Sequence, residues 1–162
     1  MTLASEAVDG LREAGATVAT AESLTGGLVC ATLVSVPGAS DVVLGGVVAY
    51  SPQAKIDLLG VDAALIASRG TVDAEVAAQM AIGARERFGA TYGLSTTGVA
   101  GPDPSEGKPV GTVHVAIAGP SGVSATELKL DGDRDTIRTG TVEVVLSQLV
   151  ARLGEESRSS RG

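Results

Sequence analysis

Tryptophan is absent from this 162-residue chain, and two tyrosines and one phenylalanine supply all of its aromatic rings. Hydrophobic residues still make up 44% of the sequence, so the core must be built from Ala, Val, Leu and Ile. Side chains that small suit helices packed closely on a sheet. The single cysteine, Cys30, excludes an internal disulfide and fits a reducing compartment; it reads as a small core residue. The single histidine, His114, excludes a histidine dyad. With Cys30 it forms no ligand set at metal-binding spacing, so no metal is expected. Positive charge is thin as well: the net charge is −7, with no basic run. Neither nucleic acid nor an anionic membrane surface is therefore expected as a partner. No apolar stretch nears 18 residues and no charged-then-apolar leader opens the sequence, so a cytoplasmic location is expected.

What is there alternates between helical and extended patterns. Leu3, Ala7, Leu11 and Ala14 recur at helical spacing before Gly15. Thr17 to Thr20 reads as a strand, and Leu28 to Val34 as the helix after it. Residues 42–50 form a nearly unbroken apolar run, the pattern of a strand covered on both faces. Ser51-Pro52 then caps a short helix through Leu58. Residues 73–88 read as a longer helix stopped by Gly89, and Thr91 to Thr96 as a third strand. After a long loop, Val110–Ala118 and Val123–Leu130 pair as a hairpin around Gly119-Pro120-Ser121-Gly122. A last helix runs from about 134 to 153, and residues 154–162 read as a disordered tail. The expectation is an α/β fold: one domain over 1–153, three layers α/β/α, with a mixed, mostly parallel sheet of about five strands.

Ligands of such sheets bind beyond the carboxyl ends of the strands. Three loops leave strands there: Ser23 to Gly27, Tyr50 to Lys55, and Thr97 to Gly101. Ser23 sits on a turn before a helix, where free backbone N–H groups can hold a phosphate or an oxyanion, and Gly26 and Gly27 admit close approach. A plain N-cap fits the same residues. Lysine occurs only at 55, 108 and 129, so Lys55 at a strand end stands out. Buried, it could accept the Ser23 proton as in other Ser–Lys pairs; exposed, it is a solvated helix residue. Lowering its pKa from ~10.4 to ~7.5 costs roughly 4 kcal/mol, which demands a dry site. Tyr50 could relay a proton, stack on a ring, or merely edge the core. Arg134 and Arg138, one turn apart, could clamp a phosphate or pair with Asp131, Asp133 and Asp135.

The segments AESLTGG, AYSPQAK, TTGVAGPDPSEGKPVGTV and GDRDTIR resemble, in order, those of the CinA C-terminal-domain family, whose enzymatic members are nicotinamide-nucleotide amidohydrolases. The resemblance spans about residues 3 to 152. It implies a hydrolase that deamidates nicotinamide mononucleotide to nicotinate mononucleotide and ammonia, without a cofactor. Catalysis falls to Ser23 with Lys55 and Tyr50. Substrate binding falls to Thr25, Gly26, Gly27, Thr97, Gly98, Arg134 and Arg138. Some family members carry an additional N-terminal domain, whose activity is not expected of this chain. Lys108 is expected to orient the long loop. The alternative function is a non-catalytic nucleotide-binding module. Either way the partner is a small nucleotide, and the apolar surface of such a domain suggests a homo-oligomer.

Overall fold

Thr2 starts the first helix, α1 (Leu3–Glu13), by accepting the Ser5 N–H on its hydroxyl. Gly15, at φ 62°, turns the chain out of it into β1 (Val18–Glu22). The computed structural model describes residues 1–162. The order continues with α2 (Leu28–Val34), β2 (Val43–Val48), α3 (Pro52–Leu59), α4 (Ala63–Arg69) and α5 (Ala74–Phe88). It closes with β3 (Tyr92–Gly98), β4 (Thr112–Gly119), β5 (Gly122–Lys129) and α6 (Arg134–Ser159). The caps are local chemistry. Asp73 accepts the N–H groups of Glu75 and Val76 at the head of α5, and Gly89 ends that helix at φ 62°.

The five strands lie in the order β2-β1-β3-β4-β5. β1 pairs in parallel with β2 and β3, whereas β3/β4 and β4/β5 are antiparallel, so β4 alone runs against the rest. This is the expected α/β architecture with a mixed five-stranded sheet. The helices α1, α2 and α6 cover one face around Val8, Leu11, Leu33, Val115 and Leu146. α5 covers the other, with α3 packed on it. The near-absence of aromatics has its reason here. A Cβ on Gly93 of β3 would stand 2.0 Å from the Ala81 carbonyl of α5, and one on Gly83 of α5 would stand 2.1 Å from the Leu59 carbonyl. Backbones that approach this closely leave room only for glycine and alanine.

Three expectations need correction. β2 is an edge strand, not one covered on both faces: Leu44 is 44% and Val48 51% exposed. Burial alternates along β2, but its outward residues are apolar too, which hides the period of two from the sequence. α4 is a helix the sequence does not announce: none of its seven residues is fully buried, and its apolar residues run consecutively from Ala63 to Ala67, with only Leu65 and Ile66 packing half-buried on the core. The stretch after 153 is not a loose tail; α6 continues to Ser159. The Glu156 carboxylate accepts from the hydroxyls of Tyr92 and Ser121, which tethers the last turns to the body. No helix is long and apolar enough to cross a membrane.

Candidate active site

The carboxyl ends of β1 and β2 bring the site together. Ser23 directly follows β1, and its N–H donates to the Thr96 carbonyl at 3.0 Å, one step beyond the regular β1/β3 ladder. On the β2 side, Ser51 accepts the Ala54 N–H at 3.0 Å and so starts α3, with Pro52 in its first turn. That turn folds Lys55 back under the strand end. Its Nζ lies 2.8 Å from Ser23 Oγ, 2.8 Å from the Ala49 carbonyl and 3.1 Å from the Tyr50 carbonyl. Thirty-two positions of sequence separate Ser23 from Lys55, and the fold closes that distance to one hydrogen bond.

Lys55 is 1% exposed. Burial pushes its pKa down from 10.5 to about 8, against the pull of the Glu106 carboxylate. Its three partners suit the neutral amine. The two carbonyls can only accept, so they take the two N–H bonds of an –NH2 group. The Ser23 hydroxyl can then donate to the nitrogen lone pair. Deprotonation costs this site no hydrogen bond; it only reverses one. The serine is therefore paired with a base of accessible pKa in a dry setting, the arrangement of an activated nucleophile.

Beyond the hydroxyl, Leu24, Thr25 and Gly27 carry backbone N–H groups that no acceptor in the fold engages. The head of α2 is different. Its Val29 and Cys30 N–H groups donate to the Glu22 carboxylate at 2.7 and 3.0 Å. The helix start behind the turn is thus already occupied by an internal anion, and only the turn itself offers donors.

Ser23 opens onto a cleft of about 210 Å³ whose walls include Tyr50, Thr71, Thr97, Ala100 and Arg134; Lys55 lies behind the serine. Of the residues singled out from sequence, Ser23, Tyr50, Thr97, Gly98 and Arg134 meet at this cleft. The others do not. The Thr25 side chain is fully buried, donating to Glu22 at 2.6 Å. Gly26 and Gly27 take left-handed conformations, φ 56° and 103°, so they shape the turn rather than line the pocket. Arg138 turns inward and donates to the Leu24 and Thr25 carbonyls at 2.9 and 3.3 Å, clamping the turn from behind. Tyr50 is 62% exposed. Its phenol accepts from Arg134 at 3.3 Å and makes no hydrogen bond to Ser23 or Lys55, so the relay read from sequence has no path. Gly98 is small because β4 presses on it: a Cβ there would lie 2.7 Å from Val113. Thr97 donates to the Thr71 carbonyl at 2.8 Å.

Sequence reasoning missed Glu22, Thr96 and Glu106. Glu106 accepts the Thr71 and Val72 N–H groups and the Thr71 hydroxyl, and Lys108 donates to the Val72 carbonyl. Together they strap the long loop across the cleft, which is the orienting role expected of Lys108. Each missed group is polar and stands inside a quoted motif, but its main partners lie on other segments of the chain. A larger groove of about 760 Å³ runs between α1 and the end of α6, past Glu6, Tyr92 and Arg158. It lies at the opposite end of the strands and brings no nucleophile and base together.

The model of the CinA C-terminal domain matches residues 1–153. The chain is 52% identical over 143 residues to a CinA-like protein of Frankia casuarinae, covering 88% of this chain and 33% of that one. It is 50% identical over 136 residues to a putative competence-damage inducible protein of Desulforamulus reducens, covering 84% and 33% respectively. It thus spans about a third of the length of those curated relatives. Among solved structures, the competence/damage inducible protein CihA of Agrobacterium tumefaciens superposes with a TM-score of 0.89 at 40% identity, over 94% of this chain and 93% of that one. A CinA superfamily protein of Klebsiella pneumoniae gives 0.92 at 28% identity, over 94% and 96%. On sequence and fold together, this chain belongs to the CinA C-terminal domain family.

Proposed function

We propose that the chain is a serine–lysine amidase acting on the carboxamide of nicotinamide mononucleotide. The observation that carries this reading is the buried Lys55 amine, held by two carbonyls with Ser23 Oγ at 2.8 Å. Neutral Lys55 takes the Ser23 proton as Oγ attacks the carboxamide carbon. The oxyanion that forms is received by the unengaged N–H groups of the 24–27 turn. Lys55 returns its proton to the departing ammonia. A water, activated by the same amine, then cleaves the acyl-serine to nicotinate mononucleotide. Tyr50 offers its exposed ring to the pyridine at the cleft rim. Arg134, the guanidinium on the cleft wall, meets the phosphate.

Ammonia release and ligand-induced thermal shift, measured with nicotinamide mononucleotide, test this directly. The wild type releases ammonia. Ser23→Ala lowers the rate about a thousandfold or more while the thermal shift remains. Ammonia release that survives Ser23→Ala overturns the mechanism. A thermal shift with no ammonia from the wild type identifies a nucleotide-binding module instead.

A further inference from the structure

The buried carboxylate of Glu22 has no part in the chemistry above, although it immediately precedes the nucleophile and is 1% exposed. Its oxygens accept from Thr25 Oγ1 at 2.6 Å, from the Val29 and Cys30 N–H groups, and from Thr20 Oγ1 at 3.4 Å. An ionised carboxylate can only accept, so Thr25 gives its one hydroxyl proton to Glu22. Thr25 also stands 2.8 Å from Thr96 Oγ1, and that contact must now be made by the Thr96 proton. Thr96 Oγ1 in turn accepts the Ser23 N–H at 3.3 Å, as the longer branch of a bond shared with the Thr96 carbonyl at 3.0 Å. The register supports this placement, because Glu22 and Thr96 are direct neighbours on β1 and β3. The result is a one-way chain: Ser23 N–H to Thr96, Thr96 to Thr25, Thr25 to Glu22.

We propose that Glu22, acting through Thr25 and Thr96, is the positioning residue of the nucleophile turn. Its charge sets the direction of the hydroxyl chain, and the chain adds to the Thr96 carbonyl in holding the Ser23 backbone beside Leu24, whose unengaged N–H belongs to a residue that lines the cleft. The same carboxylate takes up the head of α2, which leaves the turn as the only place for a developing oxyanion. The proposal rests on the amidase reading. Glu22 itself lines no part of the cleft, so it touches no reacting atom.

Thr25→Val and Thr96→Val each cut the chain while leaving Glu22 on α2. Two readouts are needed: steady-state ammonia release, and the rate at which a fluorophosphonate probe captures Ser23. Each valine variant is expected to lower kcat and probe capture about 10- to 100-fold, as small misplacements at a reacting centre do, with KM within about twofold. Thr25→Ser restores both rates. Glu22→Gln lowers kcat, and the Glu22→Gln/Thr25→Val double variant falls no further than the worse single, because both act along one chain. If one valine variant fails to fold, the other reads the same chain. A kcat and a capture rate within twofold of wild type in the folded valine variants, or losses that multiply in the double variant, overturn the proposal. A wild type that neither releases ammonia nor captures the probe overturns the amidase reading, and the proposal with it.

Discussion

Lys55→Met should uncouple activity from stability in a way that only a buried, titrating lysine predicts. In the folded chain the Lys55 pKa is lowered from 10.5 to about 8, so the fold disfavours the charged amine. The penalty is complete below about pH 8, fades between pH 8 and 10.5, and is gone above. At one pKa unit per 1.36 kcal/mol, the full penalty is about 3 kcal/mol. Between pH 7 and pH 10 the wild type regains most of it, about 2–3 kcal/mol. Methionine fills the same space without a charge. The Ala49 and Tyr50 carbonyls that it leaves unpaired cost about 1 kcal/mol each at every pH; they move the baseline and not the slope. Urea denaturation of both proteins at pH 7, 8, 9 and 10 reads the difference directly, since other titrating groups cancel. Wild type should gain on the variant by about 2–3 kcal/mol, equivalent to about 5–10 °C in melting temperature for a domain of this size. The variant releases no ammonia. A difference that stays flat within about 0.5 kcal/mol, or that slopes the other way, would refute a buried base at this position.

Four further outcomes follow from the same geometry. Wild-type kcat/KM should fall tenfold per pH unit below about pH 8, where Lys55 becomes protonated. Because the Glu106 charge holds the lysine pKa up, Glu106→Gln should move that acid limb to lower pH in a pH–rate profile; a limb that stays or rises contradicts it. Arg134→Ala should raise KM for the nucleotide about tenfold or more with kcat largely kept. Arg138→Ala, which frees the Leu24 and Thr25 carbonyls, should lower kcat and the melting temperature instead, as steady-state kinetics and calorimetry will read.

Legibility of the fold followed the strength of local chemistry. The β4/β5 hairpin was readable because Gly119 and Gly122 bracket a two-residue turn and pair with each other. α5 was readable because Asp73 and Gly89 mark both of its ends. β2 was placed as a strand but not at the sheet edge, since strand order is decided by which neighbours the crossovers reach. Its Val-Leu-Gly-Gly-Val-Val run reads alike in either position. α6 outran its expected end because Glu156 is held by Tyr92 and Ser121, residues 64 and 35 positions away. Neither contact leaves a trace in the composition of residues 154–162.

At the site, a single offset of one residue separates what the sequence disclosed from what it hid. Ala19 and Ala21 face the α5 layer, and Ser23, two steps further along, keeps that side and meets Lys55. Glu22 and Thr25 turn to the α2 layer, where they meet Thr96. The motif places serine and threonine on the same loop, and residue type alone makes both look substrate-facing. Thr25, expected as a ligand contact, instead donates to Glu22, a residue for which the sequence suggests no role. The arginines repeat the point at helical spacing. Arg134 and Arg138 share one face of α6, yet the first reaches the Gly101 carbonyl and the Tyr50 phenol at the cleft wall, while the second stops at the back of the turn. One turn of helix advances a side chain about 5.4 Å along the axis, enough to pass from lining a cleft to bracing the loop behind it. Lys55 stands out in the sequence because lysine is scarce, yet its residue type fits a solvated helix face as well as a buried base; the fold decides by turning α3 back under the strand end, where the amine meets Ser23.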